Sequence, residues 1–353
     1  MRSETAGQVV MAGFGGPVVD EQVREALKLG VAGFILFSRN IESPEQTAEL
    51  IAEIRGLAEG RRLLFAVDQE GGRVARLKAP ATIWPPMRVL GRIGRADLAE
   101  RFGRLMGREL AALGFDIDFA PVVDVDSNPA NPVIGDRSFS ADPRVVAELG
   151  AAVIRGLQAE GVWACAKHFP GHGDTDLDSH THLPVVPHDR RRLDEVELPP
   201  FRAAVAADVA AVMTAHLVVE AIEAGRPATL SPRVLSILRN ELGFTGVIVT
   251  DDLEMKAVAD RYPMGEAAVA AAAAGADLIL VCHRLDRLEE AVRGLFDAHL
   301  NDRLPPRRLY EMRERLQRTT MRFPAPTRRQ LKLVGCDEHL AFAREIDVAA
   351  AKA

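Results

Sequence analysis

Short apolar runs alternate with amphipathic segments along most of this chain. Each run is followed by a polar turn and then by a stretch whose apolar residues recur at helical spacing. In the segment that begins at Asp97, for example, Leu98, Phe102 and Leu105 fall on one helical face, and Gly114 is a typical helix end. The eight apolar runs are residues 9–14, 31–37, 63–67, 115–122, 162–166, 209–213, 247–249 and 278–281.

Eight strand-like runs that alternate with helices predict a parallel sheet closed into a (β/α)8 barrel of the α/β class. We expect one domain over residues 1–353, with the barrel in about residues 1–300. Residues 301–353 should add one or two helices on the outside of the barrel. The alternative for the same pattern is an open, doubly wound sheet.

Composition and charge narrow the class of protein. Of the 353 residues, 48% are hydrophobic and 27% are charged, which is ordinary for a soluble globular protein. The net charge of −6 gives no indication of a nucleic-acid or membrane partner, and no apolar run approaches the roughly 18 residues of a membrane span. The start lacks the apolar core of a signal peptide, and three distant cysteines suggest reduced thiols. We therefore expect a cytoplasmic protein, and a monomer.

Polar residues follow several of the predicted strands. In a barrel of this kind the carboxyl ends of the strands meet at one face, where active sites are built. A charged side chain there would otherwise be buried near the core at a cost. The face should therefore carry a functional site formed by Asp68, Asp124, Lys167, His168, His216, Asp251 and Asp252.

The densest polar stretch is residues 167–184, KHFPGHGDTDLDSHTHLP, which contains four of the nine histidines. Its glycines and prolines predict a loop. The histidines could bind a metal, but their spacing matches no familiar ligand pattern. Asp178, two residues before His180, could instead hydrogen-bond the imidazole and raise its pKa, giving a proton donor near neutral pH. The alternative is a histidine that only holds the loop.

The adjacent carboxylates Asp251 and Asp252 end the seventh run. Successive side chains of a strand point to opposite faces, so only one of the pair can easily reach the barrel axis. That one is a candidate nucleophile or charge stabiliser. The other should have a structural role, and a helix cap is the usual one for aspartate.

Asp68 begins a second polar stretch, in which Gly71 and Gly72 allow a sharp turn or the close approach of a ligand. Its carboxylate could accept hydrogen bonds from sugar hydroxyls. Arg76, Arg137 and Lys167 could donate to a substrate or could neutralise the carboxylates of the site.

Five stretches together resemble glycoside hydrolase family 3, and within it the bacterial cytoplasmic β-N-acetylglucosaminidases of peptidoglycan recycling. They are VDQEGGRVARL at 67–77, FAPVVDVDSNPANPVIGDRSFS at 119–140, the loop at 167–184, VMTAH at 212–216 and VTDDLEM at 249–255. The resemblance implies a retaining hydrolase that forms a covalent glycosyl-enzyme intermediate, without metal or cofactor.

The same resemblance assigns roles to individual residues. Asp251 falls on the nucleophile, His180 on the acid/base and Asp178 on its partner. The residues that fall on the site for the terminal N-acetylglucosamine are Asp68, Arg76, Arg137, Lys167 and His168, and His216 lies in a further motif. The expected substrates are N-acetylglucosaminyl-1,6-anhydro-N-acetylmuramyl peptides.

Other functions remain open at this point. A β-glucosidase or a phosphorylase of the same family would carry much the same motifs. A sugar-binding barrel without activity and a metal-dependent hydrolase are alternatives from other classes.

Overall fold

Within residues 4–179, 181–324 and 330–353, which the computed structural model describes, eight parallel strands close into a barrel. Each strand pairs with its neighbours in sequence, and the last pairs with the first. The predicted fold is confirmed, and each predicted run overlaps one strand. The strands are β1 (Val10–Ala12), β2 (Gly33–Leu36), β3 (Leu64–Val67), β4 (Ile117–Asp118), β5 (Trp163–Phe169), β6 (Ala211–Thr214), β7 (Val247–Asp252) and β8 (Leu278–Val281).

A helix follows each strand and covers the outside of the barrel. These helices are α1 (Glu21–Lys28), α2 (Pro44–Gly56), α3 (Ala96–Leu113), α4 (Pro143–Ala159), α5 (Leu198–Ala206), α6 (Pro232–Ser236), α7 (Met264–Ala274) and α8 (Leu285–Leu300). Shorter helical segments are Glu4–Gly7, Ser38–Asn40, Met87–Ile93, Gly135–Arg137, Arg190–Arg192, Leu193–Glu197, Ala228–Leu230, Ile237–Glu241, Lys256–Ala259 and Leu331–Leu333.

Two small strand pairs lie outside the barrel. Gln69–Gly71 pairs with Val74–Ala75 in an antiparallel hairpin directly after β3. Val185–Val186 pairs in parallel with Val218–Val219. Both pairs lie in segments that follow strands of the barrel, and Glu70 lies in the first, where the strand register shifts between Gln69 and Gly71.

Helices α3 and α4 pack closely because glycines lie where they meet. A Cβ atom on Gly156 would come within 2.1 Å of the Glu100 carbonyl oxygen, and one on Gly103 within 2.4 Å of the Val153 carbonyl oxygen. No side chain fits at these distances, so the two glycines set the separation of the helices.

Two further helices, α9 (Pro306–Arg322) and α10 (Asp337–Ala350), pack against the barrel layer. The buried Asp277 accepts hydrogen bonds from Arg308 and Arg315 of α9. On α10, Phe342 contacts the Trp84 ring edge-on with centroids 6.4 Å apart. The division of the chain into one domain stays a prediction. None of the described helices is long and apolar enough to span a membrane.

Candidate active site

A cavity of about 420 Å³ opens at the carboxyl ends of the barrel strands. Its volume is within the roughly 300–1,000 Å³ that is usual for small-ligand sites. Part of the lining is apolar, with Ile35, Phe37, Phe119, Met213, Met255 and Leu280. Another part is charged, with Asp68, Glu70, Arg76, Arg137, Lys167 and Asp251. The predicted face of the barrel therefore holds the cavity.

Five charged side chains on one side of the cavity form an ion-pair network. Lys167 Nζ lies 2.9 Å from Asp68 Oδ1 and 2.7 Å from Glu70 Oε1. The guanidinium of Arg137 donates two hydrogen bonds of 2.8 Å to the carboxylate of Glu70. Arg76 Nη2 lies 3.3 Å from Asp68 Oδ2. The cations thus neutralise the carboxylates, which is one of the two roles that the sequence left open. Their direct contact with a substrate stays a prediction.

The network keeps its members ionised despite their burial. Burial alone raises the pKa of the Glu70 carboxyl, but Arg137 and Lys167 outweigh it and hold that pKa well below its usual range. Burial likewise opposes ionisation of Asp68, and Lys167 and Arg76 again lower the pKa on balance. Burial would lower the pKa of Lys167, yet the two carboxylates raise it. Near neutral pH the carboxylates are therefore acceptors for the hydroxyls of a ligand.

A second buried carboxylate, Asp124, fixes the end of β5. Its Oδ2 lies 2.7 Å from His168 Nδ1, and its oxygens also accept the backbone N–H groups of His168 and His172. Burial raises the pKa of Asp124, but the His168 ring and the hydrogen bonds lower it on balance. With Nδ1 bound to Asp124, the other ring nitrogen of His168 faces Arg137 Nη2 at 3.4 Å and the cavity.

Asp251 lies on β7, lines the cavity and is partly exposed. Its Oδ1 accepts the backbone N–H of Asp252 at 2.8 Å. This places a carboxylate of the predicted nucleophile at the cavity wall. Its role in attack stays a prediction.

Asp252 has a structural role, but the expectation of a helix cap is wrong. Its Oδ1 accepts the backbone N–H groups of Glu254 at 3.1 Å and of Cys282 at 3.3 Å. The following helical segment begins later, with Met255 at its N-cap position. Asp252 therefore ties the end of β7 to the residue that directly follows β8.

The loop after β5 is anchored at its beginning. Gly173 packs so closely that a Cβ atom would lie 1.7 Å from the Val125 carbonyl oxygen. His172 is buried, with Thr175 Oγ1 2.8 Å from its Nδ1 and Ser179 Oγ 3.0 Å from its Nε2. Ser179 also lines the cavity, so the loop returns to the site just before His180. His180 itself lies outside the described residues, and its assignment as acid/base stays a prediction.

Asp178, the predicted partner of His180, is partly exposed. Its carbonyl oxygen accepts the backbone N–H groups of Thr181 at 3.0 Å and His182 at 2.9 Å. Burial lowers the pKa of His172 to about 4, so its ring is neutral near pH 7 and stabilises the loop.

In the described ranges no group of three or more histidine, cysteine, aspartate or glutamate side chains is arranged to hold a metal ion.

His216 is fully buried at the end of β6. Its Nε2 lies 2.9 Å from the Asp252 carbonyl oxygen, and its Nδ1 lies 2.8 Å from Thr229 Oγ1. Its ring therefore contacts the backbone of β7, and His216 is not among the described residues that line the cavity. A contact between His216 and substrate stays a prediction that these positions do not support.

Sequence reasoning had not selected several residues of this site. Glu70 lies two residues after Asp68, in the short hairpin strand Gln69–Gly71 that follows β3, and its nearness to a strand end is a signal that could have identified it. Asp124 is expected at this face from the sequence, but its bonds to His168 and His172 are not. Phe37, Glu254 and His283 also line the cavity, and their ordinary sequence context gives no comparable signal.

Comparisons with known proteins agree with this architecture. The family described as "Glycosyl hydrolase family 3 N terminal domain" matches residues 3–318. The chain is 42% identical over 301 residues to a β-hexosaminidase of Thiobacillus denitrificans, and the match covers 82% of each protein.

Two solved structures are also similar. A family 3 β-N-acetylglucosaminidase from Paenibacillus sp. has a TM-score of 0.94 and 42% identity, with coverage of 99% of this chain and 69% of the other. NagZ from Neisseria gonorrhoeae, in complex with N-trifluoroacetyl-D-glucosamine, has a TM-score of 0.78 and 34% identity, with coverage of 97% and 98% respectively.

Proposed function

The chain belongs to glycosyl hydrolase family 3, as a β-hexosaminidase of that family, and on this premise we propose that it removes single terminal β-linked N-acetylglucosamine units from peptidoglycan fragments. The observation that carries the proposal is a small cavity in which the carboxylate of Asp251 shares the wall with a buried, fully ionised network of hydrogen-bonding groups. The solved relative with N-trifluoroacetyl-D-glucosamine supports an N-acylated glucosamine as the bound unit.

The ion-pair network would bind the hydroxyls of the terminal sugar. Carboxylate oxygens of Asp68 accept hydrogen bonds, while Arg137, Lys167 and the cavity-facing nitrogen of His168 complete the polar wall. Because these groups are held by one another before a ligand arrives, little side-chain entropy is lost on binding. A cavity of this size, closed at its inner end by the barrel, favours a terminal unit over an internal one.

In the first chemical step the carboxylate of Asp251 attacks the anomeric carbon, and the glycosidic C–O bond breaks. The imidazolium of His180 gives its proton to the departing oxygen, with Asp178 as the partner that favours the protonated ring. The product of this step is a glycosyl ester on Asp251. Because attack comes from the face opposite the leaving group, the configuration at the anomeric carbon inverts once.

In the second step water attacks the same carbon and the ester bond to Asp251 breaks. The neutral His180 ring now accepts the proton from that water, so each group returns to its starting state. The second inversion restores the original configuration, which makes the enzyme retaining.

The test compares 4-nitrophenyl β-N-acetylglucosaminide, the matching β-glucoside and N-acetylglucosaminyl-1,6-anhydro-N-acetylmuramyl tripeptide, each with and without inorganic phosphate. We expect release of N-acetylglucosamine from the first and third, and proton NMR should show the β-anomer as the first product. A preference for the glucoside, sugar 1-phosphate as the main product, or an initial α-anomer would each refute part of the proposal.

A further inference from the structure

His283 lies directly after β8 at the cavity, and two contacts fix its ring. It stacks on Phe37, with ring centroids 5.6 Å apart and planes 28° from parallel. Its Nε2 lies 3.2 Å from Asp252 Oδ2. Its side chain is 51% exposed, so the ring reaches solvent while one edge faces a carboxylate.

Asp252 connects this ring to Asp251. Oδ1 of Asp252 accepts the N–H groups of Glu254 and Cys282, and the other oxygen, Oδ2, is the one nearest His283. The backbone N–H of Asp252 in turn donates to Asp251 Oδ1. A change of charge on His283 therefore alters the electrostatic environment of the Asp252 carboxylate. Asp252 follows Asp251 in the chain and hydrogen-bonds its side chain.

The charges around His283 are of both signs. Asp252 faces it from the end of β7 and Glu254 from the segment that follows. Arg39, from the segment after β2, is a cation on this side, with its guanidinium 4.4 Å from the centre of the Phe37 ring. The Arg76 guanidinium lies 5.8 Å from the centre of the same ring. The hydrogen bond to Asp252 raises the pKa of His283, against an opposing effect of its partial burial and of Arg39. The carboxylates thus favour the imidazolium form.

We propose that His283, as an imidazolium, is a positioning residue that compensates the charge of Asp252 beside Asp251 and so preserves activity on the acidic side of the pH profile. The inference rests on the proposed role of Asp251 as the nucleophile. Without the imidazolium, the negative charge of Asp252 stands uncompensated beside Asp251. An uncompensated like charge disfavours the ionised form of a neighbouring carboxylate, so activity should be lost at a higher pH when the imidazolium is removed.

The experiment measures the acidic limb of the pH profile of kcat/KM on 4-nitrophenyl β-N-acetylglucosaminide, because this limb reports groups of the free enzyme. His283→Phe keeps a ring that can stack on Phe37 but loses the charge, and His283→Gln keeps a hydrogen-bond donor without charge. Both should move the acidic limb up by about half a pH unit, or roughly threefold in kcat/KM on that limb, since solvent screens the half-exposed ring.

Asp252→Asn supplies the background that separates a charge effect from a packing effect. The asparagine keeps an oxygen for the two backbone N–H groups, and in this background His283→Gln should leave the acidic limb in place. His299→Gln, the same chemical change at the far end of α8, is the matched control and should also leave it in place.

The outcomes are distinguishable. An acidic limb that stays in place in both His283 variants overturns the inference. An acidic limb that moves in His283→Gln but not in His283→Phe also overturns it, because the stacking contact with Phe37, and not the charge, would then be responsible. A full shift that persists beside Asp252→Asn also overturns it. If the wild-type protein does not hydrolyse 4-nitrophenyl β-N-acetylglucosaminide at any pH, the proposed function is refuted, independently of the role of His283.

Discussion

Replacing Glu70 by glutamine should strongly destabilise the fold, because it removes a buried charge from the centre of the ion-pair network. The Glu70 side chain is 1% exposed, and its partners Lys167 and Arg137 are 3% and 10% exposed. Solvent therefore screens these contacts little. Glutamine has the same shape but leaves two buried cations facing the single carboxylate of Asp68. Breaking buried pairs of this kind costs about 3–5 kcal/mol, and we expect about 3 kcal/mol because Asp68 retains one contact with Lys167.

The assay is urea unfolding of wild-type protein and Glu70→Gln at several pH values. The folded-state pKa of Glu70 is lowered, so its contribution is present above the unfolded value near 4.5 and is lost as the pH falls toward the folded one. Glutamine does not titrate. The difference in unfolding free energy should thus be constant near pH 7 and should shrink by about 1.4 kcal/mol per pH unit below about 4.5.

Asp97→Asn is the matched control, because its pair with Arg95 is exposed on both sides. It should leave the urea midpoint unchanged. The reasoning is refuted if Glu70→Gln lies within about 1 kcal/mol of wild type at pH 7, or if the difference stays the same between pH 7 and pH 3.5.

Four further predictions concern the reaction. Asp251→Ala should lower kcat at least about 10³-fold without unfolding the protein, and a 2-fluoro sugar should label a peptide at Asp251 and at no neighbouring carboxylate. Asp68→Ala should lower kcat/KM well beyond twofold; a smaller change, under about 0.5 kcal/mol, would contradict a binding role. His180→Ala should harm substrates with poor leaving groups most, and azide should restore turnover of activated ones; equal losses without rescue would indicate a structural role. Asp178→Ala should give a milder loss with the same dependence on leaving group, and a basic limb moved to lower pH.

The strands could be predicted from the sequence because a parallel barrel buries both faces of each strand and so produces continuous apolar runs. Their ends were less predictable. The run at 115–122 contains a strand of only two residues, Ile117–Asp118. Pro121 lacks the N–H that a sheet ladder requires, and beyond it pairing continues as a single bridge between Val122 and Lys167.

The positions of the site residues followed from the strand ends, but their partners did not. Glu70 and Arg137 are 67 residues apart in sequence, and only the closed barrel brings them together. The role expected for Asp252 failed for the same reason, since its N–H partner Cys282 directly follows a different strand, β8. His216 ends a strand as predicted, yet its ring turns to the backbone of β7, which no local pattern reveals.

Asp124 has a consequence for exchanging parts between related enzymes. One carboxylate holds both His168, whose ring faces the cavity, and the backbone of His172, where the next loop begins. Grafting a foreign loop in place of residues 170–184 would keep its attachment only if the recipient carries an acid at position 124. Chimeras should therefore transfer the segment after β4 together with the loop, as one inherited unit.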